Sequence, residues 1–303
     1  MFNSCLVYLL LYLVGFVFAG NPLVPNVGMA DPHLRVTPNG TFLLFATDDF
    51  SSNNTGYVMK DWVLWSSVDL VNWDKAAVIA PGGPSSNFLA WDVVPDECWA
   101  TDGILVNDTW YWYLSVSPSA VGVVTTSASD LAGPWNDVLG KALLDATLGN
   151  TLDPIATFRD PGILADDDGT TVTYYIIAGV FDYYITRLGS DMVSLAETPK
   201  LVTIDPNGHE AWGPYGNKTD DKPYLHKHNQ TYYLSWGCFY GISSSPYGPY
   251  KFQGSVIASV NISADFQMPS DPSQPWYVYM YICVCVYVCM YVCVCDTSYD
   301  NLI

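Results

Sequence analysis

Positive charge is what this chain most lacks. Lysine and arginine together number 11 against 30 aspartates and glutamates, a formal charge of -19. Proteins that hold nucleic acid neutralise phosphates with basic side chains, so this balance argues against a nucleic-acid partner. Charge of either sign is scarce, at 14% of residues, and half the chain is hydrophobic, which excludes a disordered polar polymer. No segment sustains a helical period, which excludes a helix bundle. Cysteine is scarce where a framework would need it. Of eight, Cys5 lies in the leader and Cys283, Cys285, Cys289, Cys293 and Cys295 crowd the tail. Only Cys98 and Cys238 fall in the body of the chain. They either pair, as an oxidising compartment allows, or stand as two buried thiols.

What the chain has is aromatic residues and a returning aspartate. It carries 11 Trp and 22 Tyr in 303 residues, enough for one large all-β domain. Ala30-Asp31-Pro32-His33-Leu34 is the first of four related stretches. The others are Asp102-Gly103-Ile104-Leu105, Asp160-Pro161-Gly162-Ile163-Leu164 and Asp221-Lys222-Pro223-Tyr224-Leu225. Each is followed by a polar turn and then by an aromatic or β-branched run, such as Trp110-Tyr111-Trp112-Tyr113 or Thr173-Tyr174-Tyr175-Ile176-Ile177. A period of about 60 residues in an all-strand chain predicts a β-propeller with one blade per period. In this reading the aspartates occupy one structurally equivalent place, and ring closure gathers them near one axis.

Three segments follow. Residues 1–20 read as a secretory signal, with an apolar core over Leu6–Phe18 and small residues before Gly20, although no lysine or arginine precedes that core. Residues 21–265 hold four recognisable blades. Residues 266–303 depart from the pattern: the run from Trp276 to Cys295 alternates Cys, Val, Tyr and Met. It has the apolar length of a membrane span, the character of an aggregation-prone strand, and the codon pattern of a TGTG/TGTA simple repeat translated as in a retained intron. The last reading leaves the fifth blade missing. Apart from a span in this run, no membrane partner is expected. Sequons at Asn39, Asn53, Asn107, Asn217, Asn229 and Asn261 agree with a secreted, extracellular glycoprotein.

Carboxylates around an aromatic-rimmed funnel suit glycoside hydrolysis. One activates water and another protonates the leaving oxygen, and for inversion they stand about 6.5–9.5 Å apart. Asp before Pro or Gly also starts strands through its own backbone hydrogen bonds, and that reading applies most to Asp102. Asp166-Asp167-Asp168-Gly169 lacks the downstream glutamate of an EF-hand loop and reads as a turn, so no metal site is assigned. Trp91 and Trp212, both in loops, are candidates for lining a sugar subsite.

The motifs resemble glycoside hydrolase family 43, the five-bladed propeller family of arabinofuranosidases, xylosidases, arabinanases and exo-galactanases, over roughly residues 22–265. Ala30-Asp31-Pro32-His33 resembles its first-blade motif and Trp99-Ala100-Thr101-Asp102 its second-blade Trp-Ala-Pro-Asp. Arg159-Asp160-Pro161 resembles its third-blade Asp-Pro. Asp221-Lys222-Pro223-Tyr224-Leu225-His226-Lys227 resembles its fourth-blade Glu-Gly-Pro-Tyr-Leu-x-Lys. The resemblance implies an inverting hydrolase of arabinofuranosyl, xylosyl or galactosyl units in plant-type polysaccharides or oligosaccharides. In it Asp31 is the general base, Asp160 tunes and orients the acid, and Asp221 is the general acid. His33 and Asp102 would contact substrate. Two departures stand out. The acid position holds Asp rather than Glu, which makes Glu210 an alternative acid. The missing fifth blade would remove a histidine that in many members helps hold a central calcium or water cluster. No cofactor is required, and a structural calcium is possible. A carbohydrate-binding propeller without catalysis, and an inactive truncated gene product, are the alternatives.

Overall fold

A computed structural model of the protein describes residues 24, 29–50, 58–80, 89, 91, 98–117 and 119–255. The leader, Asn53, Asn261 and the tail beyond residue 255 lie outside the described residues, as do the expected span and the place of a fifth blade.

The described chain forms four sheets in sequence order, antiparallel but for one edge pair in the fourth, arranged as the blades of a β-propeller. Blade one is β1 (Ala30–Val36), β2 (Phe42–Phe50), β3 (Val58–Ser67) and β4 (Asp74–Ile79). Blade two is β5 (Trp99–Val106), β6 (Thr109–Ser117), β7 (Ala120–Ser127) and the short β8 (Asn136–Asp137), with β9 (Leu144–Asp145) also pairing β7. One helical turn, α1 (Ala146–Gly149), follows. Blade three is β10 (Gly162–Asp167), β11 (Val172–Ala178), β12 (Tyr184–Arg187) and β13 (Lys200–Leu201). Blade four is β15 (Tyr224–His228), β16 (Thr231–Trp236), β17 (Phe239–Ser243) and β18 (Tyr250–Ser255). A further strand, β14 (Ile204–Asp205), precedes blade four and joins its outer edge in parallel to β18.

The side chains explain the layering. Along β2, Leu43 and Phe45 point to one face and Leu44 and Ala46 to the other, as period-two alternation requires. Leu43, Phe45, Trp62 and Leu64 of blade one pack on Trp110, Trp112 and Leu114 of blade two, with Phe45 edge-on to Trp112 at 5.4 Å. Tyr113, Val121 and Val123 of blade two meet Phe158, Ile163 and Ile176 of blade three. Tyr175, Ile177 and Ile185 of blade three meet Leu225, Leu234, Trp236 and Phe252 of blade four. Each fully buried aliphatic or Phe side chain contributes roughly 1.5–3 kcal/mol, so these three seams hold the blades together. The other face of blade one carries a smaller cluster of Met29, Leu44, Ala46, Val63 and Trp65 that includes no residue of blade four.

The blades converge on β1, β5, β10 and β15, the leading strand of each. Close approach there depends on glycine. A Cβ on Gly162 would come within 2.8 Å of the Pro223 carbonyl oxygen, and one on Gly103 within 2.3 Å of the Phe45 ring. Cys98 and Cys238 are both buried, and no disulfide joins the two.

Candidate active site

Three residues that precede a proline open the leading strands in the same left-handed backbone conformation: Asp31 (φ 49°), Asp160 (φ 55°) and Lys222 (φ 48°). Such angles are uncommon outside glycine. The structural equivalence expected of the four aspartates is therefore corrected. Asp31 and Asp160 share a position with Lys222. Asp221 stands one residue earlier, and Asp102 lies inside β5, paired across to Tyr113. A following proline marks this register in all three, and the positive φ there runs against the extended backbone that a proline favours in the residue before it.

Asp31, Asp160 and Asp221 nevertheless come together, close enough for each to feel another's charge. Asp31 and Asp221 are partly exposed, whereas Asp160 is 4% exposed beneath them. The Asp160 N–H donates to the Ser115 hydroxyl at 2.8 Å, and one carboxylate oxygen of Asp160 faces the Lys222 N–H at 3.4 Å. Burial, then the Asp221 carboxylate, push Asp31 up to about 7, against a smaller opposing pull from Lys222. Burial, then Asp220, push Asp221 up to about 7, against Lys222 and Arg159. Burial, with Asp221 and Asp31, holds Asp160 well above the ordinary carboxylate range. Lys222 thus does turn inward, but its pull is outweighed by desolvation and crowding of like charge.

Beneath this cluster lies a second carboxylate with the opposite balance. Asp102 is fully buried. Burial alone would raise it, but Arg35 and His33 hold it well below the ordinary range. The Arg35 guanidinium donates through both Nε and Nη2 to the two Asp102 oxygens and also to the carbonyls of Gly103 and Ile163, each at 2.8 Å. Asp102 accepts two more bonds, from the Gly103 and Ile163 N–H groups at 2.7 Å. His33 Nδ1 is 2.7 Å from Asp102 Oδ2. Burial lowers His33 to about 3, so it is neutral at physiological pH. His33 and Asp102 are both 0% exposed and form a floor under the site instead of a surface for a ligand.

The other expected positions fall outside the cluster. Trp91 packs in the seam between blades one and two, its indole N–H donating to Asp137 at 2.5 Å. Trp212 packs edge-on to Trp236 in the seam between blades three and four. Glu210 is exposed on the loop after β14; its neighbour His209 packs on Phe252 of the outer strand β18. The sequence reading missed Arg35, Asp220 and Arg159. A signal was available: in a chain with 11 basic residues, Arg159 and Lys222 lie within the aspartate motifs and Arg35 directly follows the first of them. It also missed Phe181 and Tyr215, 42% and 59% exposed, whose rings meet edge to face at 5.6 Å. The Phe181 N–H donates to the Asp220 carbonyl at 3.0 Å, which fixes this pair beside the carboxylates.

Among the described residues, no three His, Cys, Asp or Glu side chains gather as metal ligands. The carbonyls of Thr101 and Pro161 accept from the Lys222 ammonium at 2.8 and 3.4 Å. Asp167 and Asp168 cap their own turn, and Asp166 is held by Lys227 and Tyr232.

Residues 19–255 match the family profile described as glycosyl hydrolases family 43. An arabinoxylan arabinofuranohydrolase of Bacillus subtilis is 27% identical over 275 residues, which cover 78% of this chain and 51% of that protein. A β-D-galactofuranosidase of Aspergillus niger is 28% identical over 248 residues, covering 77% and 66%. The chain spans about half the length, or less, of the arabinoxylan arabinofuranohydrolases it matches. Among solved structures, a GH43_1 enzyme from Xanthomonas citri in complex with xylotriose superposes with a TM-score of 0.60 at 20% identity, covering 78% of this chain and 77% of that one. The likeness is one of fold.

Proposed function

This chain belongs to glycosyl hydrolases family 43, and from that premise we propose that it hydrolyses O-glycosidic bonds of arabinofuranosyl, xylosyl or galactosyl units with inversion. The observation that carries the reading is the pair Asp31 and Asp221, both partly exposed and both raised to about 7 over the buried Asp160. Two neighbouring carboxyl groups both raised to about 7 share protons near neutral pH. One is then a base while the other is an acid, which the reaction needs at once. Asp31 takes the proton of the attacking water and Asp221 gives its proton to the leaving oxygen. Asp160 orients the group beside it. Named relatives support the substrate class, since they include an arabinoxylan arabinofuranohydrolase and a β-xylosidase.

The aromatic surface that best suits a sugar ring is the exposed pair Phe181 and Tyr215, beside Asp221 and hence on the leaving-group side. Exposure of Asn39, Asn107, Asn217 and Asn229 supports the secreted, glycosylated reading. The outward cluster of blade one, which has no counterpart from blade four, supports a five-bladed ring closed by a blade absent from residues 29–255.

The test is turnover of nitrophenyl α-L-arabinofuranoside, β-D-xyloside and β-D-galactoside by the wild type, Asp31→Asn and Asp221→Asn, with the product anomer read by proton NMR. A loss of roughly 10²–10⁴-fold in each variant is expected. Equal turnover in all three proteins would end the assignment. The shorter reach of Asp221 than of a glutamate favours the second reading, a carbohydrate-binding propeller. Glycan binding with no turnover by the wild type would establish that reading instead.

A further inference from the structure

Lys222 occupies the place that Asp31 and Asp160 hold in blades one and three, and its left-handed backbone would suit glycine better. The residue is only 8% exposed. The ammonium reaches from blade four to the Thr101 carbonyl of blade two at 2.8 Å and the Pro161 carbonyl of blade three at 3.4 Å. Those carbonyls lie immediately before Asp102 and immediately after Asp160. A buried cation is costly to hold there, and an apolar side chain of the same reach would fill the space without that cost. Two backbone carbonyls pin the charge in the midst of the carboxylates, in a position no rotamer change of an acidic partner can alter.

We propose that Lys222 is a positioning residue for the hydrolysis. Its ammonium, anchored at the axis by Thr101 and Pro161, is the fixed counter-charge that lets Asp31, Asp160 and Asp221 share one small space with one of them ionised. The role rests on the glycosidase reading above. The charges around it are accounted for. On β1, His33 is neutral and Arg35 is paired with Asp102 of β5. Arg159 and Asp160 lead into β10, and Asp220 and Asp221 into β15. With Arg35 and Asp102 offsetting each other, Lys222 and Arg159 remain against four carboxyl groups. Lys222 pulls down each of Asp31, Asp160 and Asp221, while Arg159 acts on the latter two.

The experiment is the pH–rate profile of Lys222→Gly, Lys222→Met and Lys222→Arg beside the wild type. Glycine accepts the backbone angle and methionine keeps the volume, so the two deletions of charge fail in different ways if folding is the problem. Both limbs of the profile are expected to move to higher pH by about one unit or more in the Gly and Met variants, because every carboxyl group loses the same cation. Lys222→Arg should leave the limbs in place. Lower activity with unmoved limbs would make Lys222 a structural strut and overturn the proposal. If the wild type turns over no glycoside, the melting temperature against pH reads the same protons. Raised carboxyl groups make stability fall as pH rises, and in Lys222→Gly that fall should extend to higher pH than in the wild type. Superimposable melting profiles would overturn the proposal independently of the activity.

Discussion

Asp102 and Asp160 are both buried at the leading strands of neighbouring blades, yet one carboxyl group is ionised and the other is neutral. Asp102 receives two guanidinium bonds, two backbone N–H bonds and a histidine, and stays ionised although it is fully buried. Asp160 is almost as deeply buried, yet its N–H donates to Ser115 and its carboxylate meets one backbone N–H at 3.4 Å. It keeps its proton far above the ordinary range. Burial is common to both, so the neighbouring charges decide, with the donors in support: a guanidinium stands beside Asp102, and the Asp221 and Asp31 carboxyl groups stand beside Asp160. The carboxylate paired with Arg35 is satisfied and therefore structural. The cluster crowded with like charge is the reactive one.

The comparison breaks most sharply at Arg35. Removing the guanidinium leaves Asp102 buried with one neutral imidazole and two N–H groups. Arg35→Met should cost about 3–5 kcal/mol by urea denaturation at pH 7. Asp160→Asn removes a carboxyl group that already prefers to be neutral, and should cost well under 1 kcal/mol while lowering kcat. Equal stability losses would erase the distinction between floor and site.

The same contrast explains what could be read from sequence. Asp31-Pro32 and Asp160-Pro161 were legible because the Asp-Pro pair recurs at the start of a leading strand and both copies adopt the same backbone. The four sheets were legible because each polar turn precedes an alternating aromatic run. The register of blade four was not, since aspartates aligned by type put Asp221 where the backbone puts Lys222. Arg35 was hidden because its partners lie 67 and 128 residues away. Trp91 and Trp212 read as sugar-lining residues from their place in loops, but both indoles pack on the seams between blades.

A gentler way to sharpen the comparison is pH. Asp102, depressed, contributes stability that is present above its unfolded value near pH 4 and is lost as pH falls below it. Asp31 and Asp221, raised to about 7, contribute stability that is present below pH 4 and is lost as pH rises through about 7. His33 and His226, lowered by burial to about 3 and about 4, favour the folded state in the opposite direction over the same interval. The difference between variant and wild type isolates the carboxyl term. Asp31→Asn should flatten the loss of melting temperature between pH 5 and pH 8, and Arg35→Met should flatten the loss below pH 4. A variant curve parallel to the wild type in its own window would contradict the assigned direction of that carboxyl group.

The smallest effect belongs to the rim, where neither environment reaches. Tyr215 is 59% exposed, supports no seam between blades, and touches Phe181 edge to face. Its removal should therefore leave the fold almost unchanged. If the ring stacks on the leaving-group sugar, Tyr215→Ala forfeits one aromatic contact, about 0.5–1.5 kcal/mol, and kcat/KM for a xylo- or arabino-oligosaccharide drops about two- to tenfold. A methyl glycoside has no sugar on that side and should be hydrolysed as before. An equal loss on both substrates would place Tyr215 with the carboxylates it neighbours, as part of their electrostatics, and remove the sugar platform from the site.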